Sequence, residues 1–169
     1  MSVNKYKKHV MVYAEDEATK QLAESFLNDD GFDLRRVTLQ KCQGWKDAVE
    51  RAKRDGQLDK GERRAVVLID LDGASTRVTD IKNAVPADLQ ERIFIIGWTG
   101  CIEQLKINAN CRGIGFQKLG EQLAADFRGS CAGIWTNQAF VQMHEPDTKT
   151  GASECQRLRQ HVLPLITAH

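Results

Sequence analysis

The chain has 169 residues and a mass of 19.0 kDa, enough to bury one substantial core and too few for two independent ones. Hydrophobic residues make up 41% and charged residues 28%, with only 3 Pro and 13 Gly, which excludes a disordered tail, a collagen-like repeat and a Pro-rich spacer. Lys plus Arg number 24 against 23 Asp plus Glu, a formal charge of +1, so any contact with nucleic acid has to come from a local patch rather than from bulk charge.

The apolar run His9-Val-Met-Val-Tyr-Ala14 has strand length, and it stops at the acidic run Glu15-Asp16-Glu17. Ala18, Leu22, Ala23, Phe26 and Leu27 then recur at helical spacing up to Asn28-Asp-Asp-Gly31, which predicts strand, acidic corner, helix and stop. Weak alternation of Phe32, Leu34, Val37 and Leu39 predicts a second strand, and Trp45, Ala48, Val49 and Ala52 mark a second amphipathic helix closed by Asp55-Gly56. Beyond a polar linker, Ala65-Val-Val-Leu-Ile69 is a continuous branched run of the kind that is buried on both faces of a parallel sheet. It ends in Asp70-Leu-Asp72-Gly73.

Val78, Ile81, Val85 and Pro86 read as helix and loop, and Ile93-Phe-Ile-Ile-Gly97 repeats the buried-strand pattern. The Gly-rich segment Arg112-Gly-Ile-Gly-Phe116 precedes a helix marked by Leu119, Leu123, Ala124 and Phe127. Gly129 to Gly151 is polar and irregular, with Trp135, Phe140 and Met143, and Glu154 to Ile166 reads as a terminal helix with Cys155, Leu158 and Val162 on one stripe. Strands alternating with helices predict an α/β chain: a single, doubly wound three-layer α/β/α domain with a mostly parallel central sheet. Residues 1–128 form the core that carries the acidic site, and 129–169 a C-terminal extension and helix packed on it.

The five cysteines, Cys42, Cys101, Cys111, Cys131 and Cys155, are an odd, widely spaced set without CxxC or Cys/His finger spacing. They read as reduced thiols of a cytoplasmic protein. The basic start, Met1 to His9, is followed by an apolar stretch too short for a signal peptide or a membrane span. His144 and His161 have no partner at metal-site spacing and read as surface or helix-face residues. No Ser or Cys nucleophile motif, dinucleotide fingerprint or P-loop occurs.

Two strands end in acids, and in an open parallel sheet ligands bind at the carboxyl ends of the strands. If the chain stays extended, Asp70 and Asp72 present their carboxylates together and turn Leu71 into the core. With Glu15 and Asp16 on a neighbouring strand they form a crowded negative site whose natural partner is Mg²⁺ or Mn²⁺, and phosphate with it. Each acid also has a plain structural use: Asp16 or Glu17 as a helix cap, Asp72 in a turn with Gly73.

Val-Tyr-Ala-Glu15-Asp16 and Leu-Ile-Asp70-Leu-Asp72-Gly resemble the Toprim-like domain of topoisomerases, primases and nucleases related to the overcoming-lysogenization-defect proteins, with Asp16 where that family commonly has Gly. Phe94 to Lys106 and Glu154 to Ile166 are similar to small stand-alone Toprim-like proteins of bacterial genomes, where Glu103 matches a further Glu after the next strand. This resemblance implies a Mg²⁺- or Mn²⁺-dependent nuclease acting on DNA or RNA phosphodiesters. Glu15, Asp16, Asp70 and Asp72 would hold the metal, and Glu15, Asp70, Asp72 and Glu103 the chemistry. It also implies a place in a bacterial defence or repair system, with an ATPase or other protein as partner and weak binding to nucleic acid alone.

The basic residues available to a phosphate backbone are Lys5, Lys7 and Lys8, Arg35 and Arg36, Arg63 and Arg64, and Arg157 and Arg159, each group also reading as a solvated face. Trp98 reads as a base-stacking residue at the rim or as a core residue. The same chain also resembles the receiver domain of response regulators. Asp70 matches the phosphoacceptor there, and Thr99 and Lys118 the phosphate-sensing pair, although Leu119 rather than Pro follows the lysine. A non-catalytic α/β interaction module, docking a partner through Trp135, Phe140 and Met143 or using them as a lid over a sheet edge, is the remaining class.

Overall fold

A computed structural model describes residues 8–55, 58, 62–74, 76–108, 110, 111, 113, 115–147 and 150–168. Lys5 and Lys7 lie outside these residues, as do Arg112 and Ile114 of the Gly-rich segment. Four strands, β1 (His9–Ala14), β2 (Val37–Lys41), β3 (Arg63–Asp70) and β4 (Ile93–Trp98), form one all-parallel sheet in the order β2-β1-β3-β4. Around it lie α1 (Glu17–Leu27), α2 (Trp45–Arg54), α3 (Arg77–Ala84), α4 (Ile102–Asn108), α5 (Phe116–Gly129), α6 (Glu154–His161) and α7 (Leu163–Ile166). The expected three-layer α/β/α sandwich is the observed one.

Period-two alternation along the strands divides the apolar residues between two cores. Val10 and Val12 of β1, Val66 of β3 and Phe94, Ile96 and Trp98 of β4 face α1, α5 and α6, meeting Leu22, Leu123 and Leu158. Tyr13, Val67, Ile69 and Ile95 face α2 and α3, meeting Ala48, Val49, Val78 and Ile81. Against the first face α1 and α5 approach so closely that a Cβ on Gly120 would stand 2.5 Å from the carbonyl carbon of Ser25.

Three elements differ from the sequence expectation. The second strand starts at Val37 rather than Phe32, because Phe32 turns into the core and the Asp33 carboxylate accepts the Arg35 N–H, winding Leu34–Arg36 into a 3₁₀ turn. A short helix, α4, follows β4 where no periodicity marked one. The terminal helix breaks at Val162, since Pro164 fits only the first turn of a new helix and α7 begins there.

The C-terminal segment completes the sheet. Thr99 N–H donates to the Ala139 carbonyl (2.8 Å) and Val141 N–H to the Gly97 carbonyl (2.9 Å), with an antiparallel bridge between Trp98 and Phe140. Trp135, Phe140, Met143, Cys155 and Leu158 are buried in the same core as β1, β3 and β4. Further along the same edge Ile95 N–H donates to the carboxylate of Glu154 (3.0 Å), which is 2% exposed. A side chain thus occupies a position that a fifth strand would otherwise fill. No helix among the described residues is long and apolar enough to cross a membrane.

Candidate functional site

The chain reverses its direction of winding between β1 and β3, so the crevice outside their carboxyl ends is where a ligand fits a sheet of this order. Both acidic corners open into it. Glu15 follows the last residue of β1, and its Oε2 accepts the backbone N–H of Asp70 (2.7 Å), tying the ends of the two strands together. Asp70 is the last residue of β3, and its Oδ1 accepts the N–H of Asp72 (3.0 Å).

That second bond changes the local geometry from the extended one expected. Leu71 still pairs with β4, its N–H donating to the Trp98 carbonyl (2.9 Å), and its side chain is fully buried. Asp72 then turns into the left-handed region, φ +44°, with Gly73 at φ +80° behind it. Asn and Asp tolerate that region better than other non-Gly residues because their short side chains bond locally. Asp70 is half-buried and Asp72 exposed. Asp16 caps α1, accepting the Thr19 N–H at its Oδ1 (2.8 Å), so its structural use is realised at the rim of the same crevice.

Two of these carboxyls, Glu15 and Asp70, are shifted. Burial pushes Glu15 above the usual carboxylate range; the bond from Asp70 N–H pulls it back, and the charges of Asp16, Asp70 and Asp72 push it up again. Burial also raises Asp70, opposed by the Asp72 N–H, reinforced by the charges of Asp72 and Asp16, and partly offset by Arg77. Glu15 and Asp70 thus stand side by side at the strand ends, tied through the Asp70 N–H, with burial as the main cost of their charge. Among the described residues no three His, Cys, Asp or Glu side chains form a ready-made metal cage. The donor set is nonetheless all hard oxygen, and Mg²⁺ ordinarily takes one or two carboxylates and fills its other positions with water and phosphate oxygens.

The cations beside this crevice are not the ones the sequence singled out. Arg77, at the start of α3, donates from Nη1 to the Asp70 carbonyl (3.3 Å), and its guanidinium lies 5.1 Å from the ring centre of Trp45. Trp45 opens α2, directly after Gly44, whose N–H donates to the Glu15 carbonyl (3.0 Å). Lys46 Nζ lies 5.6 Å from the same ring, and Lys41, at the end of β2, pairs with Glu17 at 3.7 Å. Neither Trp45 nor Arg77 has a local motif; only the position of each in the first turn of a helix that follows a strand end could have marked them.

The other anticipated residues are placed elsewhere. Glu103, in the first turn of α4, is exposed and accepts both of its bonds, 2.8 and 3.1 Å, from Lys106. Lys118 Nζ is 3.9 Å from Glu121 on α5, and the Thr99 hydroxyl donates to the Ala139 carbonyl (3.5 Å). Lys8, Arg63 and Arg64 stand at the amino ends of β1 and β3, where His9 pairs with Arg63. An eight-residue strand separates them from the acids by about 23 Å. Arg35 and Arg36 pair with Asp33, Arg157 is buried against Glu154, and Arg159 donates to the Gly129 carbonyl. Trp98 is 1% exposed and belongs to the core. Compared with known proteins, the chain matches no family model, no curated protein and no solved structure.

Proposed function

We propose that the chain is a divalent-metal-dependent phosphodiesterase acting on DNA or RNA, with its site at the carboxyl ends of β1 and β3. The observation that carries this reading is that the ends of β1 and β3 meet at the switch point of the sheet, where Glu15 Oε2 accepts the Asp70 N–H and Asp70 Oδ1 the Asp72 N–H, with Asp16 at the rim and burial raising both Glu15 and Asp70 above the ordinary carboxylate range. Carboxylates crowded in this way favour a cation over a proton at neutral pH. Mg²⁺ or Mn²⁺ bound there would polarise a phosphoryl oxygen and lower the pKa of a coordinated water.

Glu15 and Asp70 are the holding residues, each with one oxygen committed to a backbone N–H that fixes its direction. Asp72, exposed on a strained turn, reaches outward toward substrate. Arg77 and Lys46 offer charge to the phosphate backbone, and the half-buried Trp45 ring between them offers a stacking face to an unpaired base. So few cations near the site imply weak affinity for nucleic acid without a protein partner. The receiver-like alternative draws no comparable support, because Lys118 and Thr99 have partners of their own and Arg77 is the cation beside Asp70.

Labelled single- and double-stranded DNA and RNA, incubated with the protein and Mg²⁺ or Mn²⁺, test the reading. Cleavage should appear, stop with chelator, and fall by at least about a hundredfold in Asp70→Asn and Glu15→Gln, and also in Asp72→Asn. No cleavage with either metal, or cleavage unchanged in all three variants, overturns it. Labelling of Asp70 by acetyl phosphate in place of cleavage would establish the receiver-like alternative.

A further inference from the structure

The edges of the sheet are treated differently. That of β4 is closed by the segment around Phe140 and by the Glu154 carboxylate. That of β2 is left open: among the described residues the strand pairs with β1 alone. Cys42 N–H donates to the Ala14 carbonyl (2.8 Å), which sets the phase of this ladder. Successive residues of a parallel strand turn their backbone groups to opposite sides, so Thr38 and Gln40 bond to β1, and Val37, Leu39 and Lys41 face outward. Val37 N–H is used within the chain, donating to the Leu34 carbonyl. The Val37 carbonyl and both backbone groups of Leu39 and Lys41 remain on the outer side, and no described residue bonds to them.

This rim is accessible. Val37, Thr38, Leu39 and Gln40 are half-buried and Lys41 is exposed. Leu34, just before the strand, is 53% exposed, more than any other large hydrophobic residue of those described. A row of unpaired backbone groups beside exposed apolar surface is a template for a further strand. Each cation along the rim has an acid of its own chain beside it: Arg35 and Arg36 pair with Asp33 at 2.9 and 3.3 Å, and Lys41 with Glu17 at 3.7 Å. A copy of the same rim is therefore not held off by bare positive charge.

We propose that β2 pairs antiparallel with β2 of a second copy about a two-fold axis at Leu39, joining the sheets of two chains into one. The outward phase fixes this register. A symmetric ladder has to be centred on a residue whose backbone faces outward, which leaves Val37, Leu39 and Lys41. Centring on Lys41 sets like charges directly opposite each other, and centring on Val37 meets an N–H already used. Centring on Leu39 lets the two leucines exchange both of their bonds, and each Lys41 N–H then donates to the carbonyl of the partner's Val37. Because the edge of β4 is closed, each chain offers one edge, so the assembly stops at two copies and does not propagate into a filament.

The full chain, in sedimentation velocity over about a hundredfold range of concentration, should pass from monomer to dimer and no further; the strand supplies 5 residues a side, far fewer than the about 20–30 of a standard interface, so the exchange is reversible. Hydrogen exchange followed by NMR should show the Leu39 and Lys41 amides slowing by at least about tenfold from the dilute to the concentrated sample, while amides away from β2 keep their rates. Leu34→Asp, at an exposed position, should weaken dimerisation by at least about tenfold. Leu39→Cys in a Cys101→Ser background should cross-link two chains on mild oxidation, since the Cα atoms of a hydrogen-bonded antiparallel pair stand about 5.5 Å apart, within the span of a disulfide. A chain that stays monomeric at every concentration overturns the proposal, as does a dimer whose Leu39 and Lys41 amides exchange as fast as in the monomer, or an assembly larger than two built on this edge. Sedimentation and exchange of the wild type decide the matter even where a variant fails to fold.

Discussion

Replacing Glu154 by Gln should lower the thermal midpoint by roughly 6–12 °C while leaving the fold intact. Glu154 is buried, and its carboxylate accepts from three donors: Ile95 N–H at 3.0 Å, Arg157 Nη1 at 2.8 Å and Lys82 Nζ at 3.2 Å. Arg157 also donates to the Gln90 carbonyl and lies over the Phe94 ring at 4.8 Å, so it is anchored and cannot swing into solvent. A Gln side chain keeps the shape and one acceptor for Ile95, but it leaves two cations without an anion and turns an N–H₂ toward one of them. Removing one partner of a buried pair costs about 3–5 kcal/mol. Lys82 can recover hydration because its side chain is 22% exposed, against 11% for Arg157, so the lower figure applies. About 3 kcal/mol, at about 2–4 °C per kcal/mol for a domain of this size, gives the stated shift. Lys82→Met should cost no more than about 1 kcal/mol, since Glu154 keeps Arg157 and Ile95. Glu154→Ala should exceed Glu154→Gln by about 1–3 kcal/mol because it also orphans the Ile95 N–H. Thermal and urea unfolding of the set measure these differences. A Gln variant within about 2 °C of wild type, or a Met variant as damaging as the Gln variant, would refute the view that Glu154 closes the sheet edge.

Gly120→Ala should destabilise by about 1–3 kcal/mol, even though Ala is the better helix former by about 1 kcal/mol, because the new Cβ meets backbone of α1 at 2.5 and 2.6 Å; a gain of stability in calorimetry would mean the two helices stand further apart. Asp70→Asn should raise stability in metal-free buffer. A carboxyl whose folded pKa is raised contributes stability that is complete below its unfolded pKa and is lost as pH rises through the folded one, so the charged site weakens the fold at neutral pH. The gain should be a few degrees at pH 8 and vanish near pH 4, with millimolar Mg²⁺ raising the wild type and not the variant; a variant less stable than wild type at pH 8 contradicts the crowding described.

Local pattern carried much of the architecture. The runs at His9, Ala65 and Ile93 are strands because branched residues packed on both sides leave little else for them to be, and the acids that interrupt them stand at the crevice. Of the two readings of Asp72, the extended pair with Asp70 gives way to the turn with Gly73, since the competing bond from Asp72 N–H to the Asp70 side chain is a property of Asp that period-two reasoning ignores. Arg63 and Arg64 looked like a basic patch, yet their strand buries one and half-buries the other at the wrong end of the sheet.

What local spacing could not supply were partners brought together by the closing of the chain. Glu154 reaches back to Ile95, Phe140 to Trp98, Arg77 to Trp45, and His144 to Cys155. The reaching residues, Glu154, Phe140, Arg77 and His144, look ordinary in their own windows, where spacing gives them a surface, lid or helix-face role or none. They acquire meaning because β4 is left with an open edge: among the described residues no fifth parallel strand pairs there, so something must satisfy Ile95 N–H, Gly97 C=O and Thr99 N–H, and buried backbone groups without partners are too costly to leave. The segment that performs this task also sets Cys155 beside His144. The same long-range closure therefore explains why the acidic corners are visible from the sequence and the cover of the sheet edge is not: the acids lie at the ends of elements that announce themselves, whereas Glu154 and Phe140 find their partners only once the chain has folded back onto β4.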